Sequence, residues 1–462
     1  MYSIKDKKVI GRECRFVTHV PSGPKNKDAH LIKEIIHYED GTKIPNLKFV
    51  TNFKRPFFVT KKNFQNHEQK KESESISKLN KYEATQSELA NEVAKALGME
   101  GYRKNQMRDV SDDPFVYGTD ISSTTLIKQM YQKQFPDFNT PFTYCVLDIE
   151  ADTETQKISM ISIATKDHIF SCIVKDVFNE NNPKPKLEQM FDKYIPDTSI
   201  KYIDKVKTEV PTLKKTIKRT IELVNSPMEA IEVLFKELHR WKPDWLSIWN
   251  MDYDIPVIMK ECELSNIDPA DIFSDPMLPK SYRRFKYKRG RTKHVTESGK
   301  EMPIDPQARW HTVTTPASFY VIDAMCSYNF VRIGAAKIPG GYGLDNILSK
   351  ELDLFKLKFP DIPTHLIPKE WHEYMVKHRP HEYFVYHQWD LISMLELENK
   401  NGDLVTTLPV LSGPSDFKDF ASGPKKILDL LHFFLLERNE VPGNRPKTLN
   451  QDKILGLDGW IN

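Results

Sequence analysis

The chain has 462 residues and 53.8 kDa, room for two or three domains at about 150 residues each. With 39% hydrophobic and 28% charged residues it has a globular composition, and with 67 basic against 64 acidic residues its net charge of +3 gives no argument for nucleic acid, so any electrostatic footprint must be local. Five scattered cysteines without a CxxC pair exclude a disulfide framework or zinc ribbon, and the absence of long apolar runs excludes a membrane span or a readable signal peptide.

Residues 1–60 read as β-rich, with a strand at Phe57-Phe-Val-Thr60. Lys, Glu, Gln, Ser and Asn dominate the next twenty or so positions, which read as a charged loop or helix. Leu89, Val93, Ala96 and Leu97 then recur at helical spacing, and Gly98 closes that helix. A new section opens near 141. Three apolar runs, 142–150, 158–164 and 168–174, separated by turn residues, predict an antiparallel meander. The Lys-rich stretch 178–225 carries no clear pattern. Ser226-Pro-Met-Glu229 is a capping box with Pro at the first helical position, followed by Ile231, Leu234, Phe235, Leu238 and Trp241 and a stop at Pro243. Trp245–Trp249 and Phe319–Asp323 read as strands, and Asp323 as a turn or cap residue. Residues 345–352, 379–400 and 424–438 read as helices. Strands alternating with helices predict an α/β or α+β layer built on a mixed sheet.

Acidic residues fall at three informative places. Asp148 and Glu150 are two apart at the end of an apolar strand and so share a face. Two carboxylates on a largely buried face repel and lose hydration; a divalent cation relieves both penalties, while two solvated acids at a strand end are the plainer alternative. Asn250-Met-Asp252-Tyr253-Asp254 follows the second strand. Asp252 reads best as a helix N-cap, and Asp254 either as a cap or as an acid held at the core edge. Tyr386 and Asp390 stand at i and i+4 of a helix and project from one face, with a salt bridge to a nearby Lys or Arg as the plainer alternative. Taken together, four carboxylates in the order DxE, NxxxD, YxxxD form a hard oxygen set suited to Mg²⁺ or Mn²⁺ rather than zinc.

Asp148-Ile-Glu150, Asn250 to Asp254 and Tyr386 to Asp390 resemble, in order, the three exonuclease motifs of family B DNA polymerases, most similar to those of tailed phages. The resemblance covers nearly the whole chain. It implies an N-terminal polymerase domain at 1–140, a ribonuclease-H-like 3′→5′ proofreading exonuclease domain at 141–402, and a segment at 403–462 that returns to the N-terminal domain and leads toward a palm. It also implies two Mg²⁺ or Mn²⁺ ions held by Asp148, Glu150, Asp254 and Asp390, with Tyr386 orienting the attacking water and Asn250 and Tyr253 positioning the frayed strand. Gly343-Leu-Asp345, opening a helix between the second and third motifs, also looks like the family's pattern.

The chain departs from the family in two respects. The family's palm motifs are absent, so the expectation is a fragment or one half of a polymerase encoded in two pieces. A partner chain would carry the palm, and through it contact a sliding clamp. The second motif is also one residue shorter between Asn250 and Asp254 than the commonest family form. The expected location is the cytoplasm, that of the host if the source is viral. The alternatives are a free-standing nuclease and a non-catalytic scaffold that binds DNA and a partner.

Lys280 to His294 carries eight Lys or Arg in 15 residues, with Tyr282, Phe285 and Tyr287 between them. Cations for phosphates and aromatic faces for unpaired bases make this a single-strand DNA candidate through Arg283, Arg284, Lys286, Lys288 and Arg289. A solvated loop is the plainer alternative. In the family, a β-hairpin in this region helps move the primer end between sites.

Overall fold

A computed structural model describes residues 7–99, 110, 113–178, 180, 182–203, 206–332, 338–363, 365–404 and 431–443. These fall into two compact units. One holds the described residues up to Thr140 together with 431–443; the other begins at Pro141 and takes in the described residues through Leu404.

The first unit is mostly β. Strands β1 (Val9–Val20), β2 (Ala29–Tyr38) and β3 (Lys43–Thr51) form an antiparallel sheet. Strand β4 (Lys54–Thr60) comes next. The polar stretch read as a charged loop or helix instead contains two strands, β5 (Ser73–Ser75) and β6 (Leu79–Thr85). Pairing rather than propensity explains this difference, since β6 lies antiparallel to β4, whose Phe57 and Phe58 are buried, while Asn80 to Glu83 in the middle of β6 are all exposed. Helix α1 (Leu89–Ala96) buries Leu89 and Val93, and Gly98 closes it at φ +74°. Strand β7 (Val116–Tyr117) joins β4, and helix α2 (Ser123–Gln134) packs on β1 with Ser122 as its N-cap. The short strand Glu440–Pro442 pairs with β5. Residues 431–437 are helical; 424–430 of the expected helix lie outside the described residues.

The second unit is mixed α/β around a six-stranded mixed sheet. Strands β8 (Tyr144–Ala151), β9 (Ile158–Thr165) and β10 (His168–Val174) form the antiparallel meander. The Lys-rich stretch supplies helix α3 (Lys184–Tyr194), the hairpin of β11 (Thr198–Ile203) and β12 (Val206–Pro211), and β13 (Lys218–Val224), which pairs parallel with β10. Helix α4 (Pro227–Trp241) starts where the capping box lies: Ser226 Oγ accepts from the Glu229 N–H, and Lys242 ends the helix in a left-handed conformation. Strand β14 (Trp245–Ile248) lies parallel to β8. After helices α5 (Met251–Leu264) and α6 (Pro269–Phe273) come the short strands β15 (Lys286–Lys288), β16 (Lys293–Val295), β17 (Glu301–Pro303) and β18 (Thr312–Thr314). Strand β19 (Tyr320–Asp323) completes the sheet beside β14, in the order β13-β10-β9-β8-β14-β19. Helices α7 (Ala324–Val331), α8 (Leu344–Leu352), α9 (Pro368–His378) and α10 (Pro380–Asn401) follow. Among the described residues no helix is long and apolar enough to cross a membrane.

Alternation along β8 sets the layers. Cys145, Leu147 and Ile149 pack with Ile231, Leu234 and Leu238 of α4, whereas Val146 packs with Val385, Trp389 and Ile392 of α10. The sheet is therefore covered on both faces. Every residue of α10 from His381 to Leu397 is buried, so this helix is internal rather than amphipathic. Removing Trp389, which is fully buried, would cost about 3–5 kcal/mol.

Candidate active site

Asp148 and Glu150 continue the β8 face that α10 covers. On α10, Tyr383, Tyr386, His387 and Asp390 lie at i, i+3, i+4 and i+7 and so share one stripe. Chain reversal after β14 supplies the third element. Asn250 occupies the N-cap position of α5 without a side-chain cap, and Asp254 lies in the first helical turn. One cleft of about 390 Å³ is lined by Asp148, Glu150, Asn250, Tyr253, Asp254, Lys356, Tyr386 and Asp390, among others. The three sequence motifs, scattered over some 240 positions, thus meet at one place. Asp254, Glu150, Tyr386 and Asp390 are buried, Asp148 is half-buried, and Asn250 and Tyr253 are exposed.

The electrostatics follow from this crowding. Burial pushes the Asp254 carboxyl well above its usual range, and the charges of Asp148, Glu150 and Asp323 push the same way. Burial lifts Asp390 to about 7; Lys356 opposes the rise, and Asp148 and Glu150 add to it. Lys356 Nζ stands 2.6 Å from Asp390 Oδ2 and 2.7 Å from the Tyr386 hydroxyl. Burial also holds the Tyr386 phenol well above its ordinary range, so it stays protonated. Asp390 Oδ1 is buried and has no hydrogen-bond partner among the described residues.

Two further groups touch the β8 carboxylates. The Tyr383 hydroxyl donates to Glu150 Oε2 and lies 2.7 Å from His372 Nδ1. His387 Nδ1 lies 2.9 Å from Asp148 Oδ2. Ligand atoms of Asp148, Glu150 and His387 all lie within 4.8 Å of one another. Lys356, Tyr383 and His372 were not singled out from the sequence. His387 stands inside the third motif, and its spacing of three from Asp390 was the one available signal.

Several side chains of the basic segment have partners inside the second unit. Phe285 packs tilted against Phe273 with ring centres 4.5 Å apart, Tyr287 packs on the sheet core, and the Tyr287 hydroxyl lies 2.9 Å from His311 Nδ1, so both rings have partners within the unit. Arg289 pairs with Asp252 and Arg283 with Asp271. Asp252 is therefore an ion-pair partner and not the N-cap it was expected to be. Lys286 and Lys288 are exposed, at i and i+2 of β15 and so on one face; Arg284 is exposed beside them. The exposed strands β16 and β17 form a hairpin, turning through Gly299 at φ +80°.

Asp323 ends β19 and caps α7 by accepting from the Cys326 N–H at 2.9 Å, the cap role read from sequence. No protein-family model matches this chain, and no curated protein sequence matches it.

Proposed function

We propose that the second unit is a ribonuclease-H-like, metal-dependent 3′→5′ exonuclease that trims DNA, the proofreading part of a family B DNA polymerase. The observation that carries this reading is the convergence of four carboxylates and one phenol, from three distant chain segments, on a single cleft. Their chemistry fits divalent cations. The donors are hard oxygens, one buried oxygen of Asp390 lacks a partner among the described residues, and the carboxylates raise one another's proton affinity. Asp148 would contact both ions, Glu150 and Asp390 would complete one site, and Asp254 would serve the other.

Bound cations at such a site acidify water and neutralise charge on the phosphodiester and its leaving oxygen. The remaining work falls to this chain. Tyr386 accepts a hydrogen bond from Lys356, which leaves its own O–H to orient the attacking water. A phenol held above its ordinary range serves that role better than proton abstraction. Asn250 and Tyr253, exposed at the cleft, would hold the terminal nucleotide, and Lys286 and Lys288 would meet phosphates of the incoming single strand. By the same resemblance, polymerisation itself would belong to a palm domain, carried either by a longer form of this chain or by a partner chain.

The test is digestion of 5′-end-labelled single-stranded DNA in Mg²⁺, beside Asp148→Ala. Stepwise shortening that vanishes in the variant is expected. Shortening that persists in the variant, or none by the parent chain with and without a palm-bearing partner, would overturn the reading.

A further inference from the structure

A polar row crosses the middle of the sheet. Asp148 on β8 pairs with Ser162 on β9, and Ser162 pairs with Ser171 on β10, so the three side chains share one face beneath α10. Both serines and His387 are fully buried. Such positions ordinarily hold apolar residues, because a buried hydroxyl or imidazole loses its hydration unless every polar atom is partnered. Here the partners are found in sequence. Ser162 Oγ donates to Ser171 Oγ at 2.8 Å, and His387 Nε2 lies 2.8 Å from Ser162 Oγ. Since Ser162 has given its hydrogen to Ser171, His387 Nε2 is the donor to Ser162. At the other side of the ring, Nδ1 faces Asp148 Oδ2 at 2.9 Å. The imidazole is thus clamped at both nitrogens between the sheet and the carboxylate.

We propose that His387 is a positioning residue for the exonuclease: anchored on Ser162, it fixes the Asp148 carboxylate through Oδ2 and leaves Oδ1 for the divalent cations. This rests on the exonuclease reading above. Groups that orient a metal-binding carboxylate typically matter by about 10–100-fold in affinity or rate. The alternative role for the same atoms is direct ligation of the metal by Nδ1.

Two substitutions divide the two bonds. The amide of His387→Asn reaches the place of Nδ1 and keeps a donor for Asp148. The amide of His387→Gln reaches the place of Nε2, keeping the Ser162 contact and losing Asp148. Mn²⁺ affinity by EPR titration and kcat and KM on single-stranded DNA are measured for each, with thermal unfolding alongside. Pulsed EPR of the Mn²⁺-loaded parent reports any nitrogen coupling. The expected result is about a 10–100-fold loss of Mn²⁺ affinity or kcat in His387→Gln with KM for DNA little changed. His387→Asn is expected within about fivefold of the parent, with no strong nitrogen coupling in the parent.

Equal losses in both variants, tracking a lower melting temperature, would mean a structural role and overturn the proposal. Strong ¹⁴N coupling would make His387 a ligand and overturn it likewise. Should His387→Gln fail to fold, Ser162→Ala removes the anchor and leaves the ring; unchanged Mn²⁺ affinity and kcat there would count against the anchor. A parent chain that neither binds Mn²⁺ nor shortens DNA overturns the exonuclease reading and this role with it. A parent that does both, with unaltered variants, overturns only the positioning role.

Discussion

Lys356 and Asp390 form an ion pair at 2.6 Å inside the cleft that the four carboxylates line, and the same ammonium reaches the Tyr386 hydroxyl. The plainer alternative for the third motif, a salt bridge, is therefore present together with the convergence of acids. Lys356 offsets the charge that burial makes costly, and the acids around it hold its own proton affinity well above the ordinary value, against the effect of burial.

Replacing Lys356 with Met should shift the acid side of the exonuclease pH profile upward. Asp390 already titrates near 7 with the ammonium beside it; without it the carboxyl holds its proton to higher pH. A shift of about one unit lowers the ionised fraction about tenfold on the acid side of the profile. Lost hydrogen bonds to a charged group should also cost about 2 kcal/mol in urea unfolding. An unmoved acid limb would show that Lys356 does not set the charge of Asp390.

Asp254→Asn should trade activity for stability. The buried carboxyl is crowded by Asp148, Glu150 and Asp323, so an amide of the same shape relieves repulsion. We expect a higher melting temperature at pH 8 without divalent ions, together with at least about a hundredfold loss of cleavage. A lower melting temperature would place the stabilising contacts of Asp254 above its repulsion.

Asp323, a helix cap and not itself a proposed metal ligand, gives a second pH signature. Burial raises its folded pKa to about 7, above the unfolded value of about 4, while the Cys326 amide partly opposes this. Its contribution to stability is fully present below pH ~4, where both states are protonated. Between about 4 and 7 the unfolded chain ionises first, so stability falls as pH rises, and above 7 it levels. Asp323→Asn keeps an amide cap and removes the titration. Relative to the parent it should be equal near pH 4 and gain up to about 4 kcal/mol by pH 8, read from urea midpoints across pH.

The basic segment separates into two kinds of cation. Lys286→Ala and Lys288→Ala should each reduce the salt slope of single-strand binding by about one. Arg283→Ala and Arg289→Ala remove ion pairs within the unit, so they should change the slope less and lower stability by at most about 1 kcal/mol. Equal slope changes for all four would mean that DNA displaces the Asp271 and Asp252 partners.

The elements read most directly from sequence were those whose local chemistry is self-contained. The meander 142–174 shows its strands as uninterrupted apolar runs, and α4 announces itself through Ser226, Pro227 and its apolar stripe. Harder cases depended on partners far away. Strand β6 is exposed through its middle, Asn80 to Glu83, and exists because β4 offers it an edge. Helix α10 is buried all round, so its periodicity says little about which face meets the site. The carboxylates were visible because unpaired acids beside apolar strands are costly and stand out. Lys356, Tyr383 and His372 were not, since a lysine, tyrosine or histidine in a polar loop or helix is ordinary until the fold sets it against an acid. The partners of Phe285 and Tyr287 were equally illegible, since only the fold sets these rings against Phe273 and His311.

Carrying Tyr383, Tyr386, His387 and Asp390 on one stripe of α10 makes the length of that helix a chemical quantity. Each residue turns the helix by about 100°. Inserting or deleting one residue between Tyr383 and Asp390 would swing the carboxylate a quarter-turn or more away from β8 while Tyr383 still held Glu150. Conservative substitutions on α10 spare that geometry, but a single indel within this stretch dismantles it. The seven-residue interval from Tyr383 to Asp390 is therefore fixed in length by the site it serves.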